Sequence, residues 1–387
     1  MNSSQVWADT LATYGASESE IQELLAYNQN VFSPPTLEQL YQAESELYLA
    51  SWKKYAQESA TVGTYATLRT YLVQLQFPIL AGISTTTDYR GATRKGKSTA
   101  QMELATGLTL LQPEQLQLYI YQTLAGEIPV LVAANRSDFI SLVQALTKYN
   151  EPCPIPDSMG ACTIQGYNNW HRVREYQKQW QEENQNQNYE LGWAVEFQRL
   201  IQRPELYQDR LILLSRGPYS NVNSTELELD EQQWLEISEK IRLEHECTHY
   251  ITRRCFGSMR NNILDELIAD YRGIVQAIGR YRADWFLHFI GLEAFPNYRQ
   301  GGRLENYRGE PPLSEGAFQV LQRLVKTAAE NLEKFEQKSH QLVKTKQEEI
   351  GILMALATLR LEELASEQGV SLIETAINHQ KQYFKTQ

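Results

Sequence analysis

The run His245-Glu246-Cys247-Thr248-His249 lies in a segment whose apolar periodicity predicts a long helix, opened at Asp230 and carrying Trp234, Ile237 and Ile241. Histidines four apart share one helix face, one turn above the other, so both imidazoles reach a single ion. Imidazole suits zinc, at about 2.0–2.1 Å. Glu246 is rotated off that face, which leaves it to address a metal-activated water instead of the metal. The pattern is thus two ligands and one general base. With 6 histidines in 387 residues, on the order of 0.01 such runs arise by chance, so the bland reading, two surface histidines on an acidic helix, is the weaker one.

A third ligand comes from the next predicted helix, Leu264-Asp265-Glu266-Leu267-Ile268-Ala269-Asp270-Tyr271-Arg272-Gly273. Glu266 and Asp270 are four apart on a mostly apolar helix, where two carboxylates repel unless a cation lies opposite. Zinc for Glu266 and the N–H of a ligand imidazole for Asp270 satisfy both. Gly273 continues the same stripe and would let the two helices approach closely.

His245-Glu246-x-x-His249 followed by Asp265-Glu266-x-x-x-Asp270 resembles the gluzincin metallopeptidases, the thermolysin-like group. The resemblance covers about thirty residues, from Glu244 to Gly273. It implies His245, His249 and Glu266 as zinc ligands, Glu246 as general base and Asp270 as the residue that orients His245. Asp265 departs from the type, which usually has Asn there, and no His or Tyr for the tetrahedral intermediate is evident. Nothing after His249 supplies the metzincin continuation. The implied fold is α+β and mostly helical. Its zincin-like core would be a small sheet, the HExxH helix and the Glu-bearing helix after it.

The surrounding elements follow from patterning. The first eighty residues predict helices, one after Ser17-Glu18-Ser19-Glu20 and a longer one from Thr36 through Leu40, Leu47 and Trp52. Residues 77–83 and 128–133 predict strands, and Asp138 starts a helix. Prolines 152, 154 and 156 mark a boundary. A zincin needs an edge strand for an extended substrate, and residues 211–215 are the candidate, with Arg216-Gly217-Pro218-Tyr219 closing the cleft wall. A plain core strand is the equal alternative. Past Asp230 the chain predicts helices, except for a Gly-, Arg- and Tyr-rich loop at 294–312. The expected division is 1–156, a helical region with a small β element; 157–290, the catalytic core; and 291–387, a helical region.

Composition narrows the function. Lys+Arg 36 against Asp+Glu 47 gives a net charge of −11, which disfavours nucleic-acid and anionic-membrane partners. No apolar run is long enough to span a bilayer. The start Met1-Asn2-Ser3-Ser4 is unlike a secretory signal, and the four cysteines form no dense disulfide pattern; a reducing, cytoplasmic setting is expected. Residues 91–98 satisfy the phosphate-loop pattern G-x-x-x-x-G-K-[ST], but polar residues precede it where a strand should, so a flexible basic loop is expected. Arg299, Arg303 and Arg308 would recognise a substrate carboxylate or be solvated. His288 would donate to an oxyanion or sit in the core.

These readings converge on a Zn2+-dependent hydrolase of peptide bonds, with a peptide or protein substrate. The alternatives are a non-catalytic metal-binding scaffold and a zinc hydrolase of a small amide; an ATPase using residues 91–98 ranks below both.

Overall fold

The computed structural model describes residues 3–33, 45–184, 189–258, 260–339 and 345–385. The helix start expected at Thr36 and Leu40, together with His340, lies outside them. Two compact units emerge: Met1–Ala43 with Pro218–Gln387, and Glu44–Gly217.

The second unit holds a mixed four-stranded sheet in the order β1-β2-β4-β3. β1 (Gln117–Thr123) and β2 (Gly126–Ala133) form an antiparallel hairpin. β2 runs parallel to β4 (Gln208–Ser215), and β3 (Ala161–Asn168) closes the other side antiparallel. Leu211, Ile212, Leu213 and Leu214 are all fully buried, as an apolar run without alternation requires of a strand covered on both faces. At about 1.5–3 kcal/mol per buried side chain, this run anchors the unit. Leu211 and Leu213 pack with Trp52, Tyr55, Phe139 and Leu142. Asp209, at the start of β4, is fully buried and accepts hydrogen bonds from Trp52, Asn169 and Arg172 at 2.9, 2.7 and 2.6 Å.

Four expectations are corrected here. Residues 211–215 are not an edge strand, since β4 is paired on both sides and the edges are β1 and β3. Residues 77–83 form no strand: Asn150 binds the carbonyls of Gln74 and Phe77 at 3.0 Å each, in place of a ladder partner, and Gly82 turns left-handed. Residues 91–98 are not the flexible basic loop expected, nor a phosphate loop. Gly91 lies inside the helix Thr87–Lys95 and Gly96 caps that helix's C-terminus at φ +62, so the pattern meets the wrong helix end for an anion. Prolines 152–156 make an irregular connection within one unit, because β3 beyond them pairs with β4 of the same sheet; the expected divisions at 156 and 290 are not where the units part.

The first unit is helical. Ser3–Thr13 and Glu18–Tyr27 come from the start of the chain, the latter opened by the Ser17/Glu20 capping box. They pack with helices from the last third, Glu315–Ser339 and Leu361–Ala365. Between these lie the two site helices. Glu231–Phe256 begins at Asp230, whose side chain accepts from the N–H groups of Gln232 and Gln233, and ends at left-handed Gly257. Asn262–Ile278 ends at left-handed Gly279. The protein is therefore α+β, with its sheet in one unit and the histidine helix in the other. Among the described residues, no helix is long and apolar enough to cross a membrane.

Candidate metal centre

The site helices pack along each other, and Gly273 is a point of close approach between them. A Cβ on Gly273 would stand 2.9 Å from the Ile241 carbonyl oxygen and 3.2 Å from the Ile241 side chain. The approach expected from the sequence is thus built into the backbone. Gly273→Ala should push the helices apart one turn from His245, costing about 1–3 kcal/mol. A thermal melt of the variant checks this; an unchanged Tm would show that the contact yields freely.

At this crossing His245, His249 and Glu266 turn inward, each 7 % exposed. His245 Nε2 and His249 Nε2 are 2.9 Å apart. Glu266 Oε1 lies 3.4 Å from His249 Nε2, and Oε2 lies 3.6 Å from His245 Nε2. Zinc bonds of about 2.0–2.1 Å at tetrahedral angles separate donor atoms by roughly 3.3–3.4 Å. The separations lie on either side of that edge, 2.9 Å between the nitrogens and 3.4 and 3.6 Å to the two oxygens of Glu266, and the donor set, two nitrogens and a carboxylate, suits that ion.

Each imidazole is held from behind. His245 Nδ1 lies 2.7 Å from Asp270 Oδ1, the pairing expected from the sequence. His249 Nδ1 lies 3.0 Å from Asp265 Oδ2. With its Nδ1–H given to Asp270, His245 turns Nε2 to the shared point, and the ion-pair contact of His249 Nδ1 with Asp265 sets the second ring the same way. The two Nε2 atoms, 2.9 Å apart, share one positive charge between them, a proton or a metal ion. Burial would lower the His249 pKa, but the charges of Asp265 and Glu266 overturn this and hold it well above the ordinary value. Burial would likewise raise the Glu266 carboxyl; the His249 hydrogen bond and the charges of His245, His249 and Arg303 hold it far below the usual range. The pocket is arranged to hold positive charge.

Glu246 is buried on the first site helix, one residue past His245. Cys247 and Cys255 are free thiols on the same helix, and burial raises both, Cys255 to about 11. Neither belongs to the His245–His249–Glu266 group.

Four neighbours were not assigned these places from the sequence. Asp265 is one; Tyr219, Arg303 and Tyr307 are the others. The Tyr219 hydroxyl donates to Asp270 Oδ1 at 2.6 Å and lies 3.0 Å from His245 Nδ1. Arg303 binds Asp270 Oδ2 and reaches within 3.8 Å of Glu266. The Tyr307 phenol, raised by burial first, is also raised by its hydrogen bond to Glu266. Of the arginines expected at a substrate carboxylate, Arg303 is buried against the cluster. Arg299 pairs with Glu293 at 2.6 Å and Arg308 with Glu305 at 3.1 Å. His288 lies on the helix Ala283–Ile290, 3.7 Å from Glu226, apart from the triad.

Fold and site together define an α+β protein with a buried His-His-Glu cluster whose ligand atoms are close enough together to hold one metal ion. Residues 9–368 match a family described as a family of unknown function, DUF7005, and the chain belongs to that family. No curated protein and no solved structure matches it.

Proposed function

We propose that this chain is a zinc-dependent hydrolase of amide bonds, with His245, His249 and Glu266 as the metal ligands and Glu246 as the general base. The observation that carries the reading is the convergence of two aspartate-backed Nε2 atoms and one carboxylate within reach of a single ion. Zinc, when bound, supplies Lewis-acid polarisation and activates water at neutral pH. The chain's own residues do the rest. Asp270 and Asp265 keep the imidazoles in the ligating tautomer. The Glu246 carboxylate takes a proton from the attacking water and returns it to the leaving nitrogen. The gluzincin likeness of residues 244–273 supports the same roles.

A second form of this reading, a small-amide hydrolase, is favoured by the burial of the ligands at 7 % exposure each, which leaves little surface for a polypeptide. Zinc-loaded protein should be offered quenched peptide mixtures and small N-acyl amides. Expected is hydrolysis that a chelator stops and one equivalent of zinc restores. Turnover confined to the amides selects the second form; no turnover of either class overturns both.

A further inference from the structure

Asp270 is fully buried, and both its oxygens are claimed. Oδ1 accepts from the Tyr219 hydroxyl at 2.6 Å and from His245 Nδ1 at 2.7 Å. Oδ2 accepts from Arg303 Nη2. The other terminal nitrogen, Arg303 Nη1, donates to the Tyr219 hydroxyl at 3.0 Å and to Ser220 Oγ at 2.9 Å. One rigid guanidinium thus fixes the carboxylate directly and again through the tyrosine that shares it. With the carboxylate plane fixed, Asp270 Oδ1 and the Tyr219 hydroxyl hold His245 Nδ1 from the same side, and its Nε2 faces the triad.

Arg303 arrives on a loop, residues 291–313, that is itself tied shut. Arg299 N donates to the Gly291 carbonyl at 2.9 Å, and the Tyr298 hydroxyl donates to the Gly302 carbonyl at 2.6 Å. The same hydroxyl accepts from Glu305 N at 3.0 Å. Gly302 meets Gly291 and Ile290 so closely that a Cβ there would lie 2.8 Å from the Ile290 carbonyl. Leu304, next to Arg303, is fully buried. This closed strap presents the guanidinium at a set depth.

We propose that Arg303 is a positioning residue which, through Asp270 and Tyr219, aims His245 at the metal, and that the 291–313 strap sets the quality of the metal centre. The proposal rests on the metal reading above. It differs from both sequence expectations for Arg303, a substrate carboxylate or a solvated side chain.

The test is titration of metal-free protein with Zn2+ against a competing chelator, and with Co2+ followed by its visible absorption. Arg303→Ala should bind zinc about 10–100-fold more weakly than wild type, as loss of a residue supporting a ligand does, with an altered Co2+ spectrum. Arg303→Lys, which keeps the charge but not the two-pronged reach, should fall between. Tyr219→Phe should show a smaller loss, because the direct Arg303–Asp270 contact persists. Far-UV circular dichroism establishes that each variant is folded; if Arg303→Ala is not, Arg303→Lys and Tyr219→Phe carry the test. Wild-type affinity and spectrum in the folded Arg303 variants overturn the positioning role while leaving the metal reading intact. Wild type that takes up neither ion overturns both.

Discussion

Replacing His249 by alanine is expected to take the purified protein from about one zinc per chain to none. Only His245 and Glu266 would remain as donors, too few to hold the ion against solvent. The variant also strands Asp265, buried at 2 % exposure with His249 Nδ1 3.0 Å away. Removing one partner of such a pair leaves a charge in low dielectric, which costs roughly 3–5 kcal/mol. Zinc held by the folded chain alone would stabilise it by about 4 kcal/mol at a thousandfold excess over Kd, so wild type should lose Tm on chelation. The variant should melt lower and ignore the chelator. Elemental mass spectrometry and paired melts read both effects. Wild type with no metal, even after zinc is offered, would make the triad a buried hydrogen-bond cluster and end the hydrolase reading.

Glu246→Gln is the second large effect, and it separates chemistry from metal binding. The substitution keeps size and shape but removes the ability to take a proton. Metal content should stay at the wild-type level, while hydrolysis falls by about 10²–10⁴-fold. Loss of zinc instead would show that Glu246 supports the centre. Unchanged hydrolysis would remove it as base. A cellular phenotype that survives the substitution would favour the scaffold alternative, in which the metal serves architecture alone.

The parts of this centre that were legible in the sequence are the local ones. His245 with His249 and Glu266 with Asp270 are each four apart, so helical geometry alone puts each pair on one face. Gly273 was legible for the same reason. β2 and β4 were visible as apolar runs. β1 and β3 were not: Gln117–Thr123 is largely half-exposed, and Ala161–Asn168 carries no apolar run and a register break near left-handed Gly166. Tyr219 and Arg303 escaped because tertiary packing, not spacing, brings them to Asp270 from 51 and 33 residues away. Asp265 was noticed only as a departure from a resemblance. Its hold on His249 depends on how two helices cross, which periodicity does not encode.

The unit that holds the metal triad is drawn from both ends of the chain, and this gives synthesis an order. Leaving the ribosome N-terminus first, Glu44–Gly217 is a continuous stretch that is able to fold before either histidine is translated. The front helices have to wait. Tyr14 donates to the Ala365 carbonyl at 2.7 Å across 351 positions, and Asn30 to the Ala357 carbonyl at 2.8 Å. At about 5–20 residues per second that wait is on the order of tens of seconds. Throughout it, Leu11 and Leu24, fully buried in the finished protein, lack the last-third helices they pack near. The nascent chain therefore carries an early apolar segment that needs shielding until the last third is made.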